Sequence, residues 1–477
     1  MKLDERFWIG AGGLTPQWRW VMQHRVKDAL TRLKNVAAGL QDKAPAEVRK
    51  RDYLAGLRYF LDRGGADRDR LAVHPAVDYW LFLWGKHFLL PCTTEDWHLQ
   101  LGLFQGIAAG LALARGDKAE FDSTLDPDGR LYLYGTPYGF AFSPEFGRRP
   151  VRLVVKGDRL TIEGPGKLKT SATLKEMAGA SPDGTACGPA RIMRSLEVRP
   201  GVIVEDRAWL LTHGVTMHGL AKLKTKEKER FAAVLDEALA AVDRQDPAFA
   251  AEFSDMMRVL VPLENPMKFG SVSSSYVNMR GAIGLSHSED PLLQVETLLH
   301  EFCHQKMNQL LIVEPILLPG QSGQVFYSPW RKDARRLRGL LLGAHAFLNV
   351  AAHLLRFLRA EDGFKDKERI DVMLNIAQRL YQVEAALRCV SFYGSLTEFG
   401  ESFVMGMWHD LGLLFHGIQW FPAALLKEAR DHCAEHRAAH ALFETGFHKG
   451  EDLVDKVERA PFLTPGGVEA GVKTSVE

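Results

Sequence analysis

Between Pro291 and Leu311 the apolar residues Leu292, Val295, Leu298, Leu299, Phe302, Leu310 and Leu311 recur at helical spacing, so this stretch must form a helix with one buried side. Pro291 marks its first turn, after the polar run Ser286 to Asp290. The helix carries the motif His-Glu-Phe-Cys-His from His300 to His304. Residues four apart lie on one face, so both imidazoles point the same way, as two ligands of one divalent metal ion must. Glu301 sits beside them. Any fold for this chain has to leave that face open to a ligand while burying the rest of the helix.

The surrounding sequence reads as α+β, predominantly helical. Residues 1–125 form a helical N-terminal region: from Thr15 to Arg115 the apolar residues keep helical spacing, with Tyr79, Trp80, Phe82 and Trp84 supplying bulk. A strand-rich middle region, 126–223, begins near the Asp128-Gly129 turn. It contains the short runs Arg130–Tyr134, Val151–Val155 and Arg159–Ile162, the last two joined by a Gly157-Asp158 hairpin turn. The charged stretch Lys222–Arg230 sets a boundary near Lys224. A helical metal-binding region, 224–460, follows with helices over Phe231–Val242 and Ala248–Leu260, one strand over Ser273–Ser286, and the motif helix. Residues 461–477 read as a mobile tail.

With 60 basic and 59 acidic residues the net charge is +1, so no global field draws in nucleic acid or a membrane surface. The charged N-terminus, Met1 to Arg6, lacks the apolar core of a signal peptide, and Trp80–Leu90 is too short to span a bilayer, so a cytoplasmic protein is expected. Cys92, Cys187, Cys303, Cys389 and Cys433 show no CxxC spacing and read as reduced thiols. Three histidines at spacing four, His432, His436 and His440, have no neighbouring acid or cysteine to complete a metal set, and His87, His98, His213 and His218 stand alone.

The motif first suggests a zinc peptidase in which Glu301 takes the proton from a Zn(II)-bound water. Met307 and Leu310 occupy the positions where a metzincin needs glycine and histidine, which excludes that subclass. Glu314, Asp333 and Glu398 could each supply a later carboxylate, but none stands in a recognisable motif. Downstream, an apolar helix over Gly339–Phe357 carries a polar stripe of His345, Asn349 and His353. Such a stripe faces a cavity or a buried network, so His345 is the first candidate for a third ligand, with Glu296 and Glu314 as carboxylate alternatives. A core histidine satisfied by its neighbours fits the same pattern, for His345 and more so for His353. Arg331, Arg335, Arg336 and Arg338 could bind the carboxylates of a small co-substrate, or simply form a solvated charged turn. Asn349 and Trp330 would line the cavity.

Taken together, Ser271-Val-Ser-Ser-Ser-Tyr276, Gly281-Ala-Ile-Gly-Leu-Ser286, Thr297-Leu-Leu-His-Glu-Phe-Cys-His304, Tyr327-Ser-Pro-Trp-Arg331 and Gly343-Ala-His-Ala-Phe347 resemble the HExxH-motif peptide-modifying proteins. Weaker echoes extend from about Arg70 to His440, through His74-Pro75 and Ser395-Leu-Thr-Glu-Phe-Gly400. The resemblance implies an iron(II) and 2-oxoglutarate dependent hydroxylase acting on the β-carbon of a residue in a ribosomally made precursor peptide, which a peptide-presenting partner could bring. It implies His300, His304 and His345 as Fe(II) ligands and a second-sphere role for Glu301. Arg331, with Arg335, Arg336 and Tyr327, would hold 2-oxoglutarate. An all-histidine ligand set departs from the two-histidine, one-carboxylate arrangement usual for such iron enzymes. A zinc metallopeptidase and a non-catalytic peptide-binding scaffold are the alternatives.

Overall fold

The structure, a computed structural model, describes residues 16–87, 93–213, 215, 219–266, 270–320, 324–360 and 366–440. Cys92, His218, the side chain of His87, Met1 to Arg6 and the tail after Pro461 lie outside the described residues. The N-terminal helical texture folds as α1 (Pro16–Lys43), α2 (Ala46–Arg49), α3 (Leu54–Asp62), α4 (Ala66–Ala72), α5 (Pro75–His87) and α6 (Thr94–Arg115). On α6, Gly102, Gly106 and Gly110 fall four apart and form a bare stripe. A Cβ on Gly110 would come within 3.0 Å of the Tyr134 carbonyl, and one on Gly102 within 2.5 Å of the Thr124 nitrogen. Strand backbone therefore packs directly on helix backbone.

Those strands begin at β1 (Lys118–Thr124), earlier than the sequence texture indicated, and continue through β2 (Arg130–Tyr132), β3 (Tyr138–Ala141), β4 (Pro150–Lys156), β5 (Arg159–Glu163) and β6 (Lys169–Thr173). After the short helix α7 (Leu174–Ala178) come β7 (Thr185–Cys187) and β8 (Ala190–Arg194). They make two antiparallel sheets, ordered β1-β4-β5-β6 and β2-β3-β8-β7. The Gly157-Asp158 hairpin forms as read: Lys156 pairs with Arg159, and Gly157 takes the left-handed φ of 64° the turn requires. Phe121, Leu153, Ile162 and Phe140 fill the core these sheets share with Ala108 and Ala112 of α6.

At the Asp128-Gly129 turn, Asp126 Oδ1 accepts the N–H groups of Asp128 (2.9 Å) and Arg130 (2.7 Å), while Oδ2 is buried with no partner. Burial pushes this carboxyl up to about 7, outweighing the Arg130 N–H. The folded protein thus holds a proton that the unfolded chain releases near 3.8, so stability falls as pH rises between these values and is level above 7. The loss reaches roughly 4 kcal/mol, about three units at 1.36 kcal/mol each. Asp126→Asn keeps the Oδ1 acceptor and should flatten this slope, raising the melting temperature at pH 8 relative to the parent; an unchanged pH profile would count against the buried proton.

A third, mixed sheet crosses the boundary placed near Lys224. It joins β9 (Leu196–Arg199) and β10 (Val202–Val204) to β11 (Val259–Leu263), β12 (Ser273–Ser275) and β13 (Ala282–Ser286), in the order β12-β13-β11-β10-β9. Between them lie α8 (Trp209–Thr212), α9 (Thr225–Gln245) and α10 (Pro247–Met256). The helix expected over Ala248–Leu260 therefore ends at Met256, and Val259 and Leu260 open a central strand. That strand is buried on both faces, so its apolar run has no period to distinguish it from helix. The single strand expected over Ser273–Ser286 is two, folded back at Gly281, whose φ of 93° breaks the run.

Side chains alternate across this sheet. Val202, Val204, Leu260, Ile283 and Leu285 face one core, whereas Ile203, Val259, Val261, Leu263 and Ala282 face another shared with α3, α5 and α6. The first core holds α11 (Pro291–Val313), α12 (Leu337–Ala360), α13 (Asp366–Tyr393), α14 (Glu398–Gly417) and α15 (Ala423–His440). Among the described residues α12 alone is long and apolar enough to cross a membrane, but 83% of its apolar window is buried within the protein, as in a core helix. The class is α+β and mostly helical, as the sequence indicated.

Candidate metal centre

Helix α11 starts where the sequence placed it. Asp290 caps it, accepting the N–H groups of Leu292 (2.9 Å) and Leu293 (3.2 Å), with Pro291 in the first turn. The helix is covered nearly all round, so its polar residues need partners. One stripe, Gln294, Thr297, Glu301, Gln305 and Gln309, recurs at spacing three or four, and each member makes at least one hydrogen bond, although Nε2 of Gln294 and of Gln309 is buried without a partner. Thr297 meets Ser271 (2.8 Å), Gln305 donates to the Ala282 carbonyl (2.8 Å), and Gln309 accepts from Arg25 (2.6 Å).

Glu301 belongs to that stripe. The hydroxyl of Ser273 donates to its Oε1 at 2.6 Å, and that of Ser275 to its Oε2 and to its backbone carbonyl. Both carboxylate oxygens are held by β12, and the residue is 4% exposed. The family-like serine run thus serves the structure by anchoring the glutamate of the motif against the sheet edge.

The neighbouring face carries Glu296, His300 and His304, each one turn from the next. The two Nε2 atoms of the histidines converge to 2.9 Å, and both Nδ1 atoms are buried without a partner. Two nitrogens bound to one ion at about 2.1 Å, with bond angles of about 90–109°, sit about 3.0–3.4 Å apart, so the pair is close to a ligand-bearing separation. Burial drives His300 well below the ordinary imidazole range, helped by His304 and Arg379; burial likewise lowers His304, against the pull of Glu301. Both rings are therefore neutral near pH 7, the state a metal requires.

Around His300 stand Phe347 and Trp330, together with Arg379, which local sequence did not flag. Phe347 lies 4.5 Å from His300, ring centre to ring centre, and the Arg379 guanidinium sits 4.2 Å over Phe347. Trp330 packs against Phe347 at 5.3 Å and covers Gly343, in keeping with a place at the edge of the site. Arg379 and Asn375 hold Glu296, at 2.9 and 3.0 Å. Glu296 is therefore committed to α13. Glu314 ends α11, ten residues past His304, about 15 Å along the axis.

His345 makes no hydrogen bond to the pair among the described residues. Among the described residues no group of three His, Cys, Asp or Glu side chains is arranged to hold a metal ion. The reason is helical register. Phe347 takes the place beside His300, and two residues along a helix turn about 200°, so His345 and Phe347 leave α12 on different sides. It packs beside Phe403 with Nδ1 unpartnered, and burial, with Lys306 and His304, pushes it down to about 3. The rest of its stripe is internal scaffolding: Asn349 Nδ2 donates to the His345 carbonyl (2.8 Å), and His353 lies 3.5 Å from Asp246, the cap of α10.

The arginine cluster is also placed elsewhere. Arg331 and Arg335 both pair with Asp333, at 2.9 and 2.7 Å, and the Arg331–Asp333 pair is exposed. Arg336 is half-buried and Arg338 exposed. Tyr327 turns to α15, where its hydroxyl meets His436 Nδ1 at 2.7 Å, while His432 meets Gln378 at 2.5 Å. The cation beside the histidine pair is Arg379, on a helix more than 70 residues from the motif. No known protein family's sequence profile matches this chain, and no curated protein compared with it is similar.

Proposed function

We propose that this chain is an iron(II) and 2-oxoglutarate dependent hydroxylase that acts in the cytoplasm on the β-carbon of a residue in a ribosomally made peptide. The observation that carries this reading is the pair of buried, neutral imidazoles converging at 2.9 Å beside a cation, with the motif's glutamate drawn off onto serines. His300 and His304 would hold the iron. When bound, iron with 2-oxoglutarate and dioxygen supplies the oxidising power: the co-substrate loses carbon dioxide to become succinate, and one oxygen atom enters the substrate C–H bond.

The chain's own residues divide the remaining work. Glu301, fixed by Ser273 and Ser275, positions the helix and is not directed as a base at a metal-bound water, which weighs against a zinc peptidase. Arg379 takes the role that was expected of Arg331. Its Nη2 holds Glu296, but Nε has no partner and Nη1 only a long 3.4 Å contact with Gln382, so two nitrogens are left to hold a co-substrate carboxylate. Phe347 and Trp330 shield the site from water.

The test is anaerobic reconstitution with iron(II), then 2-oxoglutarate, oxygen and a candidate precursor peptide. A gain of one oxygen by the peptide, with an equal amount of succinate, is expected. Cleaved peptide would instead establish a zinc or iron peptidase, and unmodified peptide that His300→Ala binds as well as the parent would establish a scaffold. Arg379→Gln should raise the KM for 2-oxoglutarate more than tenfold, by about 1.5–3 kcal/mol of lost charged hydrogen bonding, while Arg331→Gln leaves it unchanged.

A further inference from the structure

On the far side of the mixed sheet from the histidine pair, the face to which Ile203 belongs, a cavity of about 170 Å³ lies between α4, α6, the turn at Gly135–Pro137 and the start of β11. Its polar lining is unusual. Arg70 and Arg258 both border it, and His74 forms part of its wall. We propose that this cavity binds a small carboxylate with a compact apolar body.

Each of the three donors has something left to give. His74 is 5% exposed, and its Nδ1 accepts the Ala76 N–H at 3.2 Å, so its proton resides on Nε2, which has no partner among the described residues. Arg258 spends its terminal nitrogens on the carbonyls of Ser254 (2.8 Å), Asp255 (2.6 Å) and Met257, the end of α10, but its Nε is buried and unpartnered. Arg70 makes no ion pair among the described residues, and its guanidinium rests against Gly201, whose φ of 75° and missing Cβ leave it room. Two cations thus face one cavity. Burial, then the Arg70 charge, brings Arg258 down to about 10. An incoming anion relieves that repulsion.

The size and remaining lining define the ligand. Leu71, Leu111 and Ile203 supply an apolar wall suited to a short branched body. Asp67 and Glu197 also border the cavity, and Glu197 is engaged with the Gly201 N–H at 3.1 Å. They keep the net charge low, which favours a singly charged carboxylate over a phosphate dianion. This site stands independently of the iron reading.

Isovalerate, titrated against the intact protein by ligand-detected NMR, is the probe. Saturable binding is expected, and isovaleramide, of the same shape without the charge, should bind at least about tenfold more weakly, the loss of one charged hydrogen-bonded contact. Arg70→Gln should weaken isovalerate by a similar factor, whereas Arg68→Gln, whose side chain pairs with Asp69 outside the cavity, should not. N-acetylvaline carries the same carboxylate on a larger body and should bind more weakly than isovalerate. The proposal is overturned by absence of saturation, by equal affinity for the amide, by phosphate binding more tightly, by equal affinity for N-acetylvaline (a chain terminus rather than a free acid), or by insensitivity to Arg70→Gln.

Discussion

His304→Ala should weaken binding of cobalt(II), an optical stand-in for iron(II), by more than about a hundredfold, since removal of partners that merely orient a ligand already costs 10–100-fold. The visible bands of bound cobalt report coordination directly and need no substrate. The same loss is expected for His300→Ala, because the two Nε2 atoms are 2.9 Å apart and both Nδ1 atoms are unpartnered, so neither ring is engaged elsewhere. His345→Ala, on the side of α12 turned away from Phe347, should retain stoichiometric cobalt. Full binding by His304→Ala would remove the metal from α11, and loss of binding by His345→Ala would overturn the assignment of the α12 faces.

Asp78→Ala should cost about 3–5 kcal/mol, a large part of the 5–15 kcal/mol that holds a typical domain together. Asp78 is buried and receives two guanidinium groups: Arg280 by a two-pronged contact at 2.7 and 2.8 Å, and Arg25 at 3.0 Å. Burial alone would raise the Asp78 carboxyl, but Arg280 and Arg25 outweigh it and hold it below the ordinary carboxylate range. Its contribution is therefore present above the unfolded pKa and is lost as pH falls through the lower, folded one. Alanine leaves both cations buried without a counter-charge. Urea titration at pH 7 measures the loss; a midpoint within error of the parent would show that the arginines find other partners. Arg280 lies in the Tyr276–Gly281 bend between β12 and β13, so the same ion cluster braces the strand whose serines hold Glu301.

Local features of the site were legible in the sequence because they depend on neighbours along one helix: the start of α11 at Pro291, the convergence of His300 and His304, and the Gly157-Asp158 hairpin. What was not legible depends on distant chain. Ser273 lies 28 residues from Glu301, and Arg379 reaches Glu296 from 83 residues away, so nothing within one helical turn announces either contact. The polar stripe along α11 was visible, yet its meaning, a buried seam against the sheet edge, required the sheet. The arginine cluster drew notice by density, but Asp333 stands within two residues of Arg331 and Arg335 and satisfies both. In α12 the polar stripe pointed to a real buried network; the side it faces was set by Phe347.

The strand order of the mixed sheet fixes when the metal helix can be made. β10 must pair in parallel with β11, Ile203 with Val259, after more than 50 intervening residues have formed α9 and α10, and β11 must then pair in parallel with β13. Of the two antiparallel sheets before it, β1-β4-β5-β6 relies on nearer contacts such as the β4–β5 hairpin, whereas β3 pairs with β8, Tyr138 with Arg194, over a separation as long as that of β10 and β11. Pairing over long loops is slow and local pairing fast. On the ribosome the earlier sheets and α6 can close first, and α11, which follows β13 by only a few residues, gains its floor late, once the chain has emerged well beyond Ser286.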